Sequence, residues 1–349
     1  MARAKRSTAA AGRKRKSTRR AAEERSFHVR DAAGPFVRGF GEAFYRPFRE
    51  ATGIRPVRVT GGVEPTGIIR KMVETGNYAW DVAAVSKSSQ TWLAAEGLLE
   101  PIGVDTPGIR AIPAEYRTRY FVGNDVYANV IVYRRAAFAG REAPRHWADF
   151  WDVERFPGRR ALRRHPIDTL EEALLADGVP GSRLYPLDVE RAFRSLDRIR
   201  PHVATWWTGA AEQTRLLTSG AIDLCAISSI RARAALDAGV DVGVGWGQNI
   251  RTVEGWVILK GTPRADLCRE FLRFIATAER QAAFTRHVNS NPTIPAAMRL
   301  VEPAHRALLP DFPANRRSAV ASDAAFWGRR KDELIERFEA WFAAGAARR

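Results

Sequence analysis

Apolar residues along this chain fall either into short runs or into stripes with helical spacing. Runs rich in Val and Ile, bounded by Gly, Asp or Pro, predict β-strands at residues 26–30, 54–60, 81–85, 126–133, 222–227, 240–244 and 253–259. Stripes with the 3.6-residue period predict helices after Asp188, after Pro263 and over residues 334–342. Strands that alternate with helices predict an α/β fold, with parallel sheets covered by helices on both faces.

Composition narrows the class of protein. The 349 residues are 45% hydrophobic and 27% charged, as in a soluble globular protein, and a chain of this length commonly forms two compact bodies. Charges interrupt every apolar run before the roughly 20 residues that span a bilayer. P-loop, HExxH and GxSxG motifs are absent, which favours a non-enzymatic protein.

The sequence predicts no metal and no cofactor. Its six histidines show no metal-ligand spacing, and two cysteines are too few for a disulfide scaffold or a cysteine metal cage. We expect Cys225 and Cys268 to be buried free thiols, and a single bridge between them is the alternative.

The net charge of +17 is concentrated at the N-terminus. Residues 1–26 contain ten Lys or Arg against two Glu, so this segment carries +8 and the rest of the chain +9. We expect residues 1–26 to be a disordered basic tail or a degenerate leader, since they begin like an export signal but lack its apolar segment. A basic arm that binds nucleic acid is the alternative.

Short motifs follow one another along the globular part of the chain. They are FYRPFREATGI at 44–54, YAWDV at 78–82, GLLEPI at 97–102, WADFW at 147–151 with FPG at 156–158, EGWVI at 254–258 and NPTIP at 291–295. In this order they resemble the spermidine/putrescine-binding family of extracellular solute-binding proteins, and the resemblance extends from Phe27 to about Trp341.

The resemblance implies a two-lobed, type II periplasmic-binding-protein fold with a ligand cleft between the lobes. Residues 27–128 and 254–300 would form lobe 1, and residues 129–253 and 301–349 would form lobe 2. It further implies a periplasmic monomer that closes on a small solute and delivers it to an ABC permease, with no nucleic acid bound by the globular part. An enzyme on the same bilobal fold is a further alternative, for which Cys225 is the candidate nucleophile.

Acidic residues occupy positions where the resemblance implies ligand contacts. Asp168 and Glu171 lie at the start of a predicted helix, and Glu254 lies at a predicted lobe crossing. A helix cap explains the first two equally well, with Asp168 as N-cap and Glu171 as its partner. We expect Glu254 to be the principal charged ligand contact.

The resemblance also implies aromatic residues that stack on a polyamine ligand, and most of them are absent from this chain. Their absence predicts weak polyamine binding. Small or polar residues stand where a Trp or Tyr is expected, namely Ala32, Ser88, Ser228 and Thr252. Phe36 and Trp246 are candidates to compensate. Asp31 and Ser86 are further polar candidates for ligand contact. Ser86 precedes a predicted helix, whose first backbone N–H groups could hold an anion. The charge of the ligand is therefore left open.

Two further features have alternative interpretations. The basic cluster over residues 159–165 could bind phosphate, but its alternation with Ala161 and Leu162 favours a strand at a sheet edge with solvated charges. The pair Trp206 and Trp207 could stack on a ligand, but burial is the more common role.

Overall fold

The computed structural model describes residues 25–60, 65–103 and 105–346. Apart from its last two residues, the basic segment 1–26 lies outside these ranges, so its role as tail, leader or arm stays a prediction. Within the described ranges, no helix combines the length and the apolar character needed to cross a membrane.

The described residues form the strands β1 Ser26–Asp31, β2 Arg55–Thr60, β3 Val82–Ser86, β4 Leu99–Glu100, β5 Arg117–Thr118, β6 Phe121–Arg134, β7 Arg160–Arg163, β8 Val203–Trp207, β9 Leu224–Ser228, β10 Val242–Leu259, β11 Asn291–Pro292 and β12 Val320–Ala321. They make one hydrogen-bonded sheet in the order β2-β1-β3-β10-β6-β9-β7-β8, with short strands at its margins. Each predicted run overlaps a strand, and the runs at 240–244 and 253–259 fall at the two ends of β10.

Helices connect most of these strands. Their bounds are α1 Pro35–Phe40, α2 Arg46–Thr52, α3 Thr66–Thr75, α4 Lys87–Ala95, α5 Pro107–Arg110, α6 Trp147–Trp151, α7 Pro166–Ala176, α8 Val189–Ile199, α9 Ala210–Thr218, α10 Ser229–Asp237, α11 Ala265–Ile275, α12 Ala278–Thr285, α13 Pro303–Arg306, α14 Pro313–Arg316 and α15 Ala324–Ala346. The three predicted helices are confirmed as α8, α11 and α15. Asp188 caps α8, because its Oδ1 accepts a hydrogen bond from the Arg191 amide at 3.0 Å.

Two long antiparallel strands connect the halves of the molecule. β6 has 14 residues and β10 has 18, and they pair along most of their length. On one side β10 pairs with β3, and on the other side β6 pairs with β9. The sequence predicted separate parallel sheets. The structure has one mixed sheet, because these two strands are long enough to belong to both halves.

Each half of the sheet is buried on both faces, as the fold class requires. In the first half, Ala84 and Trp256 pack into one core, while their neighbours Ala83 and Val257 pack into another. In the second half, the adjacent residues Ile131 and Val132 enter separate cores in the same way. Successive side chains of a strand point to opposite faces, so a doubly covered strand is apolar at consecutive positions. The predicted two-lobed α/β fold is confirmed.

The two cysteines are buried free thiols, as expected. Cys225 lies in a core of the second half and Cys268 in a core of the first half, which separates them. Burial raises the pKa of the Cys225 thiol well above its usual value. This argues against Cys225 as an activated nucleophile, because the thiolate is the reactive form.

The interpretation of residues 159–165 as an edge strand with solvated charges is wrong. The segment forms β7, which lies between β9 and β8 inside the sheet. Arg160 is buried, and its guanidinium donates hydrogen bonds to the backbone oxygens of Phe150 and Gly158, each at 2.8 Å. Backbone carbonyls therefore satisfy a charge that the sequence pattern assigned to solvent.

Candidate functional site

A cavity of about 380 Å³ lies between the two halves, where strand ends converge. The final residues of β3, β7, β8 and β9 and the penultimate residue of β1 line it, namely Ser86, Arg163, Trp207, Ser228 and Arg30. The central strands β6 and β10 contribute residues from their middles. Ligand sites in open α/β sheets occur at the carboxyl ends of strands, which is the arrangement seen here.

Three arginines supply positive charge to the cavity. Arg30 Nη1 donates to the Ala84 carbonyl at 2.9 Å, and Arg163 Nη1 lies 3.1 Å from Asp168 Oδ2. Arg231, near the start of α10, has no ion pair with any described residue. Burial lowers the pKa of its guanidinium, although arginine stays protonated in proteins. A half-buried cation with no anionic partner is unfavourable by itself, so Arg231 is suited to a bound anion.

The first lobe approaches Arg231 closely. A Cβ atom on Gly34 would lie 2.9 Å from Arg231 Nη1, and Gly34 has a φ of +75°. Only glycine adopts this backbone without strain and leaves the space that the guanidinium occupies. The loop before α1 thus covers a charge that belongs to the second half.

Three carboxylates also line the cavity. Asp125 and Glu254 are paired across β6 and β10, and Asp168 lies near the start of α7. Asp125 Oδ1 accepts a hydrogen bond from Asn124 Nδ2 at 2.8 Å, and burial raises the pKa of Asp125 to about 6. Charges of both signs therefore face the same space.

Asp168 has an unusual backbone for a residue near a helix start. Its φ is +72°, in the left-handed region, and it is buried beside Arg163. The cap of α7 is His165, whose Nδ1 accepts from the Ile167 amide at 3.2 Å, so the capping interpretation of Asp168 and Glu171 is wrong. Burial raises the pKa of Asp168, and Arg163 opposes that rise. Strained backbone of this kind is common at functional sites.

Glu171 does not line the cavity. It is fully buried, and its Oε1 accepts hydrogen bonds from Tyr185 Oη at 2.5 Å and Trp327 Nε1 at 2.6 Å. Burial raises the pKa of Glu171 to about 7. Its role is to join α7 to α15 within the second half.

Asp31 does not line the cavity either. It is fully buried at the end of β1, where its Oδ1 lies 2.6 Å from Arg58 Nε. Tyr45 Oη also donates to Asp31 Oδ2, at 2.6 Å. Both partners belong to the first half, so Asp31 has its contacts within one lobe.

Ser88 and Trp246 are the other predicted residues outside the cavity. Ser88 lines a separate cavity of about 540 Å³, together with Val126 and Thr252 of the central strands. Its Oγ lies 2.9 Å from that of Ser86, which caps α4 through the Ser89 amide. Trp246 is half-buried against a core of the second half.

The other predicted residues do line the cavity, namely Phe36, Ser86, Asp168, Ser228 and Glu254. Aromatic rings come from positions that the resemblance did not indicate, including Tyr127 on β6 and Trp207 at the end of β8. Trp207 is buried, as expected, whereas Trp206 is half-buried. The Arg163 guanidinium lies 5.7 Å from the ring centre of Trp207. The sequence analysis also did not select Arg30, Asp125 or Arg231. Position at a strand end would have indicated Arg30, which ends the predicted strand 26–30.

A polar cavity between two α/β lobes that share central strands defines a solute-binding protein. The chain belongs to the bacterial extracellular solute-binding proteins, whose family model matches residues 43–308. The family agrees with the sequence-based prediction of a substrate-binding protein for an ABC-type importer.

Individual relatives agree over nearly the whole chain. The gamma-aminobutyric acid-binding protein of Pseudomonas aeruginosa is 32% identical over an alignment of 331 residues, and the match covers 92% of each protein. An ABC transporter substrate-binding protein from Bradyrhizobium japonicum is 32% identical with a TM-score of 0.86, over 90% of this chain and 99% of that chain. The Atu4243-GABA receptor is 30% identical with a TM-score of 0.82, over 90% and 97% of the two chains.

The resemblance to polyamine-binding proteins holds at the level of the fold. A putative spermidine/putrescine ABC transporter from Listeria monocytogenes shares 15% identity with a TM-score of 0.73, over 93% of this chain and all of that chain. The motifs that suggested that family therefore reflect the architecture that these proteins share.

Proposed function

We propose that the cavity binds a small zwitterion with one ammonium and one carboxylate group, of the size of γ-aminobutyrate. The observation that carries this proposal is Arg231, a half-buried cation with no anionic partner among the described residues, in a cavity that also contains Asp125, Asp168 and Glu254. A ligand with both charges neutralises both groups. The names of two relatives at 30–32% identity, which refer to GABA, support the same ligand class.

The cavity offers a different group of side chains to each portion of such a ligand. The carboxylate would pair with Arg231, since guanidinium and carboxylate form charge-assisted, bidentate hydrogen bonds. The ammonium would lie between Glu254 and Asp125, and the methylene groups would pack against Tyr127 and Trp207. A volume of about 380 Å³ is near the lower end for ligand pockets, which fits a small solute.

Closure of the cleft would couple binding to transport. Phe36 and Ser86 come from the first half, whereas Ser228 and Arg231 come from the second, so a ligand that contacts all of them favours the closed form. The closed protein, acting as a periplasmic monomer, would then deliver the solute to its ABC permease.

We propose lobe boundaries close to those predicted from the sequence, with one change. Val301 and Leu309 pack in the core that contains Phe27 and Trp256. Residues 301–309 are therefore better assigned to lobe 1, and the final crossing to lobe 2 would follow residue 309. Lobe 2 would end with α15, whose Trp327 and Phe338 pack in the core that contains Trp147.

Three ligands with four-carbon chains test the proposed charge pattern. We expect γ-aminobutyrate to bind with micromolar or tighter affinity, and both putrescine and butyrate to bind at least about a hundredfold more weakly, because each lacks one of the two charges. Calorimetry and thermal-shift measurements on the purified protein provide the affinities. Preferential binding of putrescine would contradict the zwitterion proposal and support a polyamine ligand.

Glu254→Gln should weaken binding of γ-aminobutyrate by about tenfold to a hundredfold, since it removes a charged acceptor for the ammonium. The ligand-free variant should be as stable as the wild type or slightly more stable, because one of three neighbouring carboxylates loses its charge. Calorimetry and denaturant unfolding measure the two effects. Glu115→Gln, exposed on the side of the second cavity, is the control. Unchanged affinity with lower stability would assign Glu254 a structural role.

A further inference from the structure

A buried acidic cluster lies near the start of α7 and reaches the cavity through Asp168. Asp168, Glu171 and Glu172 are all buried there. Asp168 pairs with Arg163, and Glu171 accepts two hydrogen bonds, but Glu172 has a different environment. It is fully buried, and its Oε2 has no hydrogen-bond partner among the described residues. The ligand-binding role proposed for the cavity does not use Glu172, so its burial needs another explanation.

The hydrogen-bond partner of Glu172 is a residue that lines the cavity. Its Oε1 accepts a hydrogen bond from Asn129 Nδ2. Asn129 is itself buried on β6, pairs with Ser228 of β9, and lines the cavity together with that serine. Because one Nδ2 hydrogen is engaged by Glu172, the amide is held with its Oδ1 on the side away from Glu172. An amide oxygen accepts hydrogen bonds and carries no formal charge.

We propose that Glu172 is held in its protonated form and acts as a positioning residue, fixing the Asn129 amide so that Oδ1 faces the cavity as an uncharged acceptor for the ligand's ammonium group. This inference rests on the proposed zwitterionic ligand and adds a specificity determinant to the same site. An ionised Glu172 would place a further negative charge among buried carboxylates. The protonated form keeps the acceptor geometry and avoids that repulsion.

The surrounding groups favour the protonated form. Burial is the main cause that raises the pKa of Glu172 well above its usual value, with Asp168 and Glu171 adding to the rise and Arg163 opposing it. From β9, Glu172 adds to the rise in the pKa of the Cys225 thiol, which burial chiefly causes. From α15, Lys331 acts on His165 at the start of α7, and the pKa of His165 is lowered to about 2, chiefly by burial. The histidine therefore adds no positive charge that would ionise Glu172.

The first test needs no ligand. The unfolded chain loses the Glu172 proton near pH 4.5, whereas the folded protein retains it, so the contribution of Glu172 to wild-type stability should fall as the pH rises above 4.5. Glu172→Gln removes this penalty. We expect the variant to unfold at higher denaturant concentration than the wild type at pH 7.5, and the two proteins to be equal near pH 4. Equal stability at both pH values would overturn the inference.

The second test measures γ-aminobutyrate affinity by calorimetry in a mutant cycle. Glu172→Gln should bind within about twofold of the wild type, because its amide oxygen still accepts from Asn129. Glu172→Leu and Asn129→Leu should each lose about tenfold, and the double variant should lose no more than Asn129→Leu alone, since Glu172 acts through Asn129.

The outcomes separate this inference from the proposed function. Suppose that the wild type binds γ-aminobutyrate. The positioning role would then be overturned if Glu172→Gln bound the ligand as weakly as Glu172→Leu, or if the affinity losses of the two single variants added in the double variant. If the wild type does not bind γ-aminobutyrate, the proposed function fails. The pH-dependent stability of Glu172→Gln then still decides whether the side chain is protonated, and a stability gain that is the same at pH 4 and pH 7.5 would overturn the inference.

Discussion

Replacing Arg231 by methionine is expected to weaken γ-aminobutyrate binding by about a hundredfold or more, while the ligand-free protein keeps or gains stability. The guanidinium is half-buried without an anionic partner among the described residues, so the free protein bears its desolvation cost and the ligand carboxylate relieves it. Truncating one member of a buried charge pair typically costs 2–5 kcal/mol of binding, or roughly 30-fold to several thousandfold. Calorimetry and denaturant unfolding of the same variant measure both quantities.

Arg233→Met is the matched control for this prediction. Arg233 lies two residues further along α10, where its Nε pairs with Asp237 Oδ1 at 2.6 Å near the surface. A surface ion pair contributes about 0–1 kcal/mol, so this variant should show nearly unchanged ligand affinity. If Arg231→Met binds as tightly as Arg233→Met, the ligand carboxylate lies elsewhere, and Arg30 or Arg163 becomes the candidate.

Replacing Arg58 by methionine is expected to lower the free energy of unfolding by about 3 kcal/mol, because it leaves the Asp31 carboxylate buried without its cation. Asp31 is fully buried, and burial already raises its pKa above 3.8 against the opposing effects of Tyr45 and Arg58. Without Arg58 the folded-state pKa rises further. The folded variant then retains a proton that the unfolded chain loses, so the destabilisation should grow as the pH rises above 3.8 and shrink as it falls toward that value.

The control for Arg58 is Arg70→Met, which breaks an exposed ion pair. Arg70 Nη2 lies 2.7 Å from Glu96 Oε2, and both side chains are more than 40% exposed. Its loss should cost less than about 1 kcal/mol in chemical denaturation. If Arg58→Met lowers the free energy of unfolding by no more than Arg70→Met does, the buried Asp31 carboxylate does not depend on Arg58. The structural role assigned to Asp31 in lobe 1 would then be unsupported.

The α/β fold could be predicted from sequence because strand runs and helix stripes depend on local apolar spacing. The pairing of the strands could not, because it depends on contacts distant in the chain. The runs at 240–244 and 253–259 are separated by a polar stretch, and pairing with β6 makes them one strand. Arg160 shows the same limit, since the carbonyls of Phe150 and Gly158 that accept its hydrogen bonds cannot be recognised as partners in the sequence.

Residues that line the cavity were predictable where a residue's position along its own strand was sufficient. Ser86 and Ser228 end their strands and line the cavity, and Glu254 lies at the crossing strand as expected. Asp31 also ends a strand, but Arg58 and Tyr45, from other elements, hold it within lobe 1. Arg231 was not selected, because its distinguishing feature is that it forms no ion pair with the described residues. That feature can be recognised only in the folded structure.

One of the two interruptions in the ladder between β6 and β10 has a mechanical consequence. The pairing shifts register between Gly245 and Ile250 and again between Glu254 and Gly255, and at the second place β10 faces Asp125 and then Gly123 on β6. A register shift bends a strand and increases its local twist. We therefore expect the second shift to be a point where the lobes pivot, with the carboxylates of Glu254 and Asp125 beside it. An ammonium group bound between these carboxylates would slow reopening, and the ligand's dwell time in the cleft would depend on the stiffness of this bend.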